Sequence, residues 1–130
     1  MKEITVPISP GELLDKITIL RIKSQRMSDP QKLANVRLEL EALQRTWDAS
    51  RGGADVEADI VALMAVNERL WVIEDDIRDK ERAKAFDAEF IRLARAVYVE
   101  NDERAAIKRR INMTLGSSII EEKSYASYKA

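Results

Sequence analysis

The stretch VEADIVALMAVNERLWVIEDDIRDK, residues 56–80, decides the fold, because it is the longest run of helical periodicity without Gly or Pro. Its apolar residues recur every three or four positions and form one seam from Val56 to Ile77. Two polar residues, Asn67 and Glu74, lie in that seam at positions where the periodicity predicts apolar core residues. The stretch therefore predicts a long amphipathic helix with an unusual polar zone.

The composition favours one helical domain. A chain of 130 residues can bury a single core, and 45% hydrophobic and 35% charged residues with only 4 Gly and 3 Pro are typical of a helix-rich protein. The net charge of −1 provides no overall field that would attract nucleic acid or an anionic membrane. No run approaches the roughly 20 apolar residues that span a bilayer. We expect neither nucleic-acid binding nor membrane insertion.

The absence of Cys and His narrows the possible chemistry. It removes thiol nucleophiles, disulfides, Cys/His zinc sites and the usual general base near neutral pH. No phosphate-binding Gly loop, nucleophile elbow or metal-ligand spacing occurs, so we expect no cofactor and no metal. The N-terminus lacks the pattern of a signal peptide, and the lack of Cys fits the cytoplasm.

Turn and cap residues divide the chain into four helices. Ser9 and Glu12 form the pattern of a capping box, and Asp29 and Asp87 are typical caps. The predicted helices cover residues 10–27, 30–49, 55–84 and 88–115, with a short extended arm over 1–8 and a docked irregular tail over 116–130. A continuous helix through Phe86 is the alternative to the last break, because nothing there forbids it.

The four helices differ in length. At about 1.5 Å per residue, the first two span roughly 27 to 30 Å and the last two roughly 40 Å. The longer pair should overhang the shorter pair, and a second copy of the chain is the simplest cover for the overhang. The sequence predicts an all-α antiparallel four-helix bundle that forms a homodimer.

The third helix carries the first candidate site. Its members lie three or four residues apart and therefore share adjacent turns: Asn67, Trp71, Glu74, Asp75 and Arg78. Trp71 would supply a flat apolar wall, and Glu74 and Asp75 are the candidate catalytic carboxylates, as a base or as metal ligands. The alternative is structural: Asn67 sets the register of the bundle and the acids form surface ion pairs.

The fourth helix carries a second candidate site. An apolar stripe turns polar along its length and continues as Asn101, Lys108 and Asn112, with Arg104 and Arg109 beside it. Arg and Lys one turn apart can hold a phosphate or a carboxylate. The alternative is a cationic last turn that complements the helix dipole.

Two further segments could contribute to a pocket. Lys123, Tyr125 and Tyr128 in the tail could close over a ligand, or the tail could dock without one. Asp15 and Lys16 follow the well-capped start of the first helix, although surface ion pairs are the default interpretation for them.

Four segments together resemble an uncharacterised bacterial family of small domains of unknown function. They are ITVPISPGELLDKITIL (4–20), VNERLWVIEDDIR (66–78), FIRLARAVYVENDERAAIKRRIN (90–112) and EEKSYASY (121–128). The resemblance implies no established activity, but it implies an association with cell-surface polysaccharide and glycosyltransferase genes. Positions that recur in the family include those of both candidate sites and of the tail: Asn67, Trp71, Glu74, Asp75, Arg78, Asn101, Arg104, Lys108, Asn112, Lys123, Ser124 and Tyr125.

The leading hypothesis is a binding or accessory protein with a polar pocket between the third and fourth helices. The ligand would be a small anion, such as a sugar nucleotide or a phosphate. The expected roles are anion binding by Arg78, Arg104 and Lys108, orientation by Asn67, Asn101 and Asn112, and walls formed by Trp71 and Tyr125.

Three alternatives stay open at the level of the sequence. One is a cofactor-free mutase or lyase, similar to the all-helical chorismate mutases in architecture but without a motif match, in which buried Arg and Lys stabilise negative charge. Another is a metal-dependent nucleotide hydrolase that uses Glu74 and Asp75. The third is a structural oligomerisation module without a pocket.

Overall fold

Four α-helices make up the fold in a computed structural model that describes residues 1–129. They are α1 (Pro10–Arg26), α2 (Pro30–Ser50), α3 (Glu57–Arg82) and α4 (Ala88–Thr114). Ala130, the last residue of the predicted tail, lies outside the described residues. The all-α class and the two shorter and two longer helices are confirmed, and each boundary lies within two residues of its prediction.

The predicted caps begin three of the helices. Ser9 Oγ accepts a hydrogen bond from the backbone N–H of Glu12 at 3.2 Å, and the Asp29 carboxylate accepts from two N–H groups in the first turn of α2. The reciprocal half of the predicted capping box is wrong. The Glu12 carboxylate accepts from Lys108 Nζ at 2.6 Å instead, because an ammonium is a stronger donor to a carboxylate than a neutral amide is.

The break between α3 and α4 is confirmed. Asp87 accepts from the backbone N–H of Phe90 at 3.0 Å and pairs with Lys80 Nζ at 2.8 Å. The Phe86 ring packs edge-on against the Phe90 ring, with centroids 5.1 Å apart. These contacts reverse the chain, and α4 packs back along α3.

α1 is the central helix. It packs against α2, α3 and α4, as expected from apolar residues on more than one of its sides. The core contains residues from all four helices: Leu13, Leu14, Ile17, Trp47, Val56, Ile60, Leu63, Val66, Ile107 and Ile111. Each such side chain contributes about 1.5–3 kcal/mol when it is fully buried. The core therefore fixes α3 and α4 against α1 at the level of the candidate sites.

The turn between α3 and α4 projects beyond this core. Residues 71–92 contain no buried side chain, and the apolar side chains of Val72, Phe86 and Ile91 are 43–56% exposed. This end of the α3–α4 hairpin is the overhang that the helix lengths predict.

Every helix in residues 1–129 is too short or too polar to cross a bilayer.

Candidate functional site

Two neighbouring cavities lie along α4. The first, the Trp71 cavity, has a volume of about 480 Å³ and lies among α1, α3 and α4. The second, the tail cavity, has a volume of about 1000 Å³ and lies between α4 and residues 121–129. Asn101 and Arg104 line both cavities, so these two side chains form the boundary between them.

The polar zones of α3 and α4 meet in the Trp71 cavity. Asn101 and Arg104 of α4 line this cavity. All members of the first candidate site line it from α3: Asn67, Trp71, Glu74, Asp75 and Arg78. Ile19, Ile22 and Leu70 add an apolar surface, and Lys23 contributes a cation from α1. Most of the predicted site residues thus share one cavity, whereas their role in binding stays a prediction.

Arg104 is the notable cation of this region. Its side chain is partly buried, and within residues 1–129 no carboxylate oxygen lies within 4.0 Å of its guanidinium. The same is true of the partly buried Lys23. Arg78, in contrast, is 76% exposed and pairs with Glu74 at 3.2 Å. Arg104 and Lys23 therefore retain hydrogen-bonding capacity for an anion.

Lys108, the third predicted anion-binding residue, has a different environment. Its ammonium lies 2.6 Å from Glu12, 3.2 Å from Glu121 and 3.5 Å from Asp15, and its side chain is only 11% exposed. Burial disfavours the ammonium, but the hydrogen bond to Glu12 and the charges of Asp15 and Glu12 outweigh burial and raise the pKa of Lys108. An incoming anion would have to compete with three carboxylates for this residue.

Glu12 is the strongest partner of Lys108. Partial burial opposes its charge, but the hydrogen bond from Lys108 and the positive charges of Lys108, Lys16 and Arg104 lower its pKa. Lys16 is exposed and lies 3.7 Å from the same carboxylate. This cluster is thus an ion-pair network at the start of α1, in which the carboxylates of Glu12, Asp15 and Glu121 outnumber the two lysines.

Asn112 fixes α1 to α4. It is buried, and its Oδ1 accepts from the backbone N–H of Gly11 at 2.7 Å. A Cβ at position 11 would lie 2.6 Å from the Lys108 carbonyl oxygen and 2.8 Å from Asn112 Oδ1. Asn112 lines neither the Trp71 cavity nor the tail cavity. Its contacts correspond to a tether between helices, and its predicted orienting role stays a prediction.

Asn67 links α3 to α1 as well as lining the Trp71 cavity. Its Nδ2 donates to Asp15 Oδ1 at 2.9 Å and to Thr18 Oγ1 at 3.0 Å, and the Thr18 hydroxyl donates to the Asp15 carbonyl. Asp15 is buried behind Asn67 and lines neither cavity. These bonds favour the register-setting interpretation of Asn67, which is compatible with a second role at the cavity wall.

The tail docks on α4 mainly through charged groups. Lys123 Nζ donates to Asp102 at 2.9 Å, Glu121 and Glu122 pair with Lys108 and Arg109, and the ring of Tyr128 packs against that of Tyr98. The Tyr125 ring is 87% exposed and lies 5.6 Å from Lys123 Nζ. Lys123 and Tyr125 therefore line the tail cavity, away from Trp71.

The candidate catalytic carboxylates lie at an open part of the Trp71 cavity. Glu74 and Asp75 are exposed, and Glu74 pairs only with Arg78 on its own helix. In residues 1–129, no group of three Asp, Glu, His or Cys side chains is placed to hold a metal ion.

Sequence reasoning missed several polar contributors. The only sequence signal for Thr18 is its hydroxyl in the otherwise apolar run ITIL, and Lys23 has no pattern that separates it from surface cations. Glu121 lies in a segment without periodicity, so no sequence signal could connect it to Lys108.

A model of one protein family, described as "Family of unknown function (DUF6165)", matches residues 4–129. No curated protein and no solved structure is significantly similar to the chain.

Proposed function

We propose that this chain, which belongs to the family of unknown function DUF6165, is a binding or accessory protein whose Trp71 cavity takes a small anionic ligand with a planar ring. The observation that carries the proposal is Arg104. This partly buried guanidinium lies in a cavity wall, and among residues 1–129 no carboxylate oxygen is within 4.0 Å of it. It is suited to a phosphate or carboxylate because it can donate two parallel hydrogen bonds. Such a contact stabilises a bound anion by about 1.5–3 kcal/mol.

The other walls of the cavity support the same ligand class. Lys23 and Arg78 add positive charge, so cations outnumber the two carboxylates of Glu74 and Asp75. The side chains of Trp71 and Leu70 offer an apolar surface for a ring, and stacking on an aromatic side chain contributes about 1–3 kcal/mol per base. A phosphate next to a planar ring describes a nucleotide.

The family resemblance of the four sequence segments directs this proposal toward sugar nucleotides or phosphates of bacterial surface-polysaccharide metabolism. These are the first ligands to test, and a cytoplasmic location is part of the same proposal.

The enzyme alternatives have less support. A mutase or lyase would use a buried Lys to stabilise negative charge, but the three carboxylates around Lys108 already offset its charge. A hydrolase would hold a metal at Glu74 and Asp75, but both side chains are exposed and Glu74 is paired with Arg78. A purely structural module would not need a cation in the wall of a cavity, where no carboxylate oxygen of residues 1–129 lies within 4.0 Å of the Arg104 guanidinium.

A thermal-shift screen tests the proposal. The chain is heated with inorganic phosphate, nucleoside mono- and diphosphates and a dicarboxylate, each with and without Mg²⁺. A ligand at 100 times its Kd should stabilise the fold by about 2.7 kcal/mol. Arg104→Gln and Trp71→Leu should abolish most of the shift.

Arg95→Gln is the matched control, because Arg95 is an exposed arginine on the same helix that lines neither cavity. If none of the anions raises the Tm of the wild-type chain, or if Arg95→Gln reduces the shift as much as Arg104→Gln, the Trp71 cavity is not an anion site.

A further inference from the structure

We infer that the tail cavity is the second half of one two-part site and takes a polyhydroxylated group, such as a hexose, covalently joined to the anion at Arg104. The inference rests on the proposed function, since it requires an anion in the Trp71 cavity. It adds a chemical class for the other end of the ligand and a role for residues 121–129.

The first support is the shared boundary. Asn101 and Arg104 lie one turn apart on α4 and line both cavities. A guanidinium has five N–H donors in a planar fork, so it can bind an anionic linker between two groups that lie on either side of it. A ligand held only in the Trp71 cavity would leave the larger cavity beside Arg104 without an occupant.

The second support is the contrast in chemistry between the two cavities. The Trp71 cavity presents an aromatic ring and aliphatic side chains beside its charges. The tail cavity presents the hydroxyls of Ser124, Ser127 and Tyr128 with the carboxylate of Asp102. Hydroxyls donate and accept, carboxylates accept, and a polyhydroxylated group needs both kinds of partner on several sides. The tail cavity also contains the rings of Tyr98, Tyr125 and Tyr128, so the contrast with the Trp71 cavity lies in its serine hydroxyls. The tail cavity is therefore complementary to a hydroxylated group.

The third support is the way in which the tail is attached. Its ion pairs join Lys108 to Glu121, Arg109 to Glu122 and Asp102 to Lys123, and the two glutamates are 61% and 74% exposed. Exposed ion pairs are weak. The tail can thus move away from α4 to admit a ligand and then return over it, so that its serines reach the hydroxylated group.

Titration calorimetry on the full chain tests the inference, with uridine diphosphate and its hexose ester as probes. The hexose ester should bind about tenfold more tightly, which is the effect expected of one or two net hydrogen bonds. The double variant Ser124→Ala with Ser127→Ala should lose about this tenfold gain and keep the affinity for the diphosphate. Ser118→Ala is the control, because Ser118 is an exposed tail serine outside the tail cavity.

Hydrogen exchange provides a second readout that does not depend on variants. The backbone amides of residues 121–129 should exchange at least several-fold more slowly with the hexose ester than with the diphosphate. Equal affinity for both probes, or equal protection by both, overturns the inference and leaves the anion site of the Trp71 cavity intact. If the diphosphate does not bind although another anion of the thermal-shift screen raises the Tm, this inference fails and the proposed function stands; if no anion of the screen binds, both fail.

Discussion

The replacement Gly11→Ala tests how tightly α1 is fixed to α4. In an ordinary helix this change stabilises by about 0.5–1 kcal/mol, because Ala loses less backbone entropy than Gly. Here the new Cβ would lie 2.6 Å from a backbone carbonyl oxygen and 2.8 Å from Asn112 Oδ1. The helices would have to separate, and the buried 2.7 Å hydrogen bond between Gly11 and Asn112 would weaken.

The expected cost follows from these contacts. Overpacking costs about 1–3 kcal/mol and the loss of the buried hydrogen bond about 1 kcal/mol. After subtraction of the helix-propensity gain, Gly11→Ala should lower the free energy of unfolding by about 1–3.5 kcal/mol, and the Tm by about 3–14 °C.

Urea denaturation followed by circular dichroism measures this difference. Gly53→Ala is the control: a Cβ added at Gly53 would meet no heavy atom within 4 Å, and the backbone there has no positive φ, so the change should stay within about 0.5 kcal/mol. If Gly11→Ala is as stable as the wild-type chain or more stable, the close approach of α1 to α4 is wrong.

Four further predictions concern the buried network and the oligomer. Because its pKa is lowered, Glu12 stabilises the fold at pH values above its ordinary pKa of 4.5, and this contribution disappears as the pH falls through the lowered pKa. The Tm difference between the wild-type chain and Glu12→Gln should therefore shrink in acid. A Tm difference that stays constant down to pH ~3 would contradict this prediction. The raised pKa of Lys108 has the opposite pH dependence. Its contribution to stability is complete below pH 10.5, the ordinary pKa of lysine, and is lost only as the pH rises through the raised pKa. Tm measurements in alkaline buffers would detect this loss. Asn67→Leu leaves the buried Asp15 carboxylate without its amide donor and should cost about 1–3 kcal/mol in urea denaturation, whereas a stabilised variant would refute the register role. We also propose that the chain forms a homodimer through the overhang. Light scattering should give a mass of about twice 14.8 kDa, and Ile91→Asp should shift it toward 14.8 kDa. A wild-type mass of 14.8 kDa at every concentration would refute the dimer.

Much of the fold could be predicted because its signals are local. Caps such as Ser9, Asp29 and Asp87 act within three residues of their own positions, and helical periodicity identifies the buried faces. Whether the polar zones of α3 and α4 meet could not be predicted, because the sequence does not fix the register of two antiparallel helices. In the structure only Asn101 and Arg104 of the α4 zone share the Trp71 cavity with the α3 residues.

The distribution of charges within the candidate site could not be predicted, because it depends on partners that are distant in the sequence. Lys108 and Arg104 are both cations on α4, and only the fold shows that one has three carboxylates around it and the other has none within 4.0 Å among residues 1–129. Periodicity assigns a residue to a face, but it does not identify the residue that the face meets.

The tether between Gly11 and Asn112 also constrains the order of folding. The two residues are 101 positions apart, so the ribosome makes α1, the central helix, long before it makes the residues that fix the start of α1. Closing so long a loop has an entropic cost that only the finished core can offset. During synthesis α1 can pack against α2 and then α3, but its first turn gains its final partner only when the end of α4 has emerged.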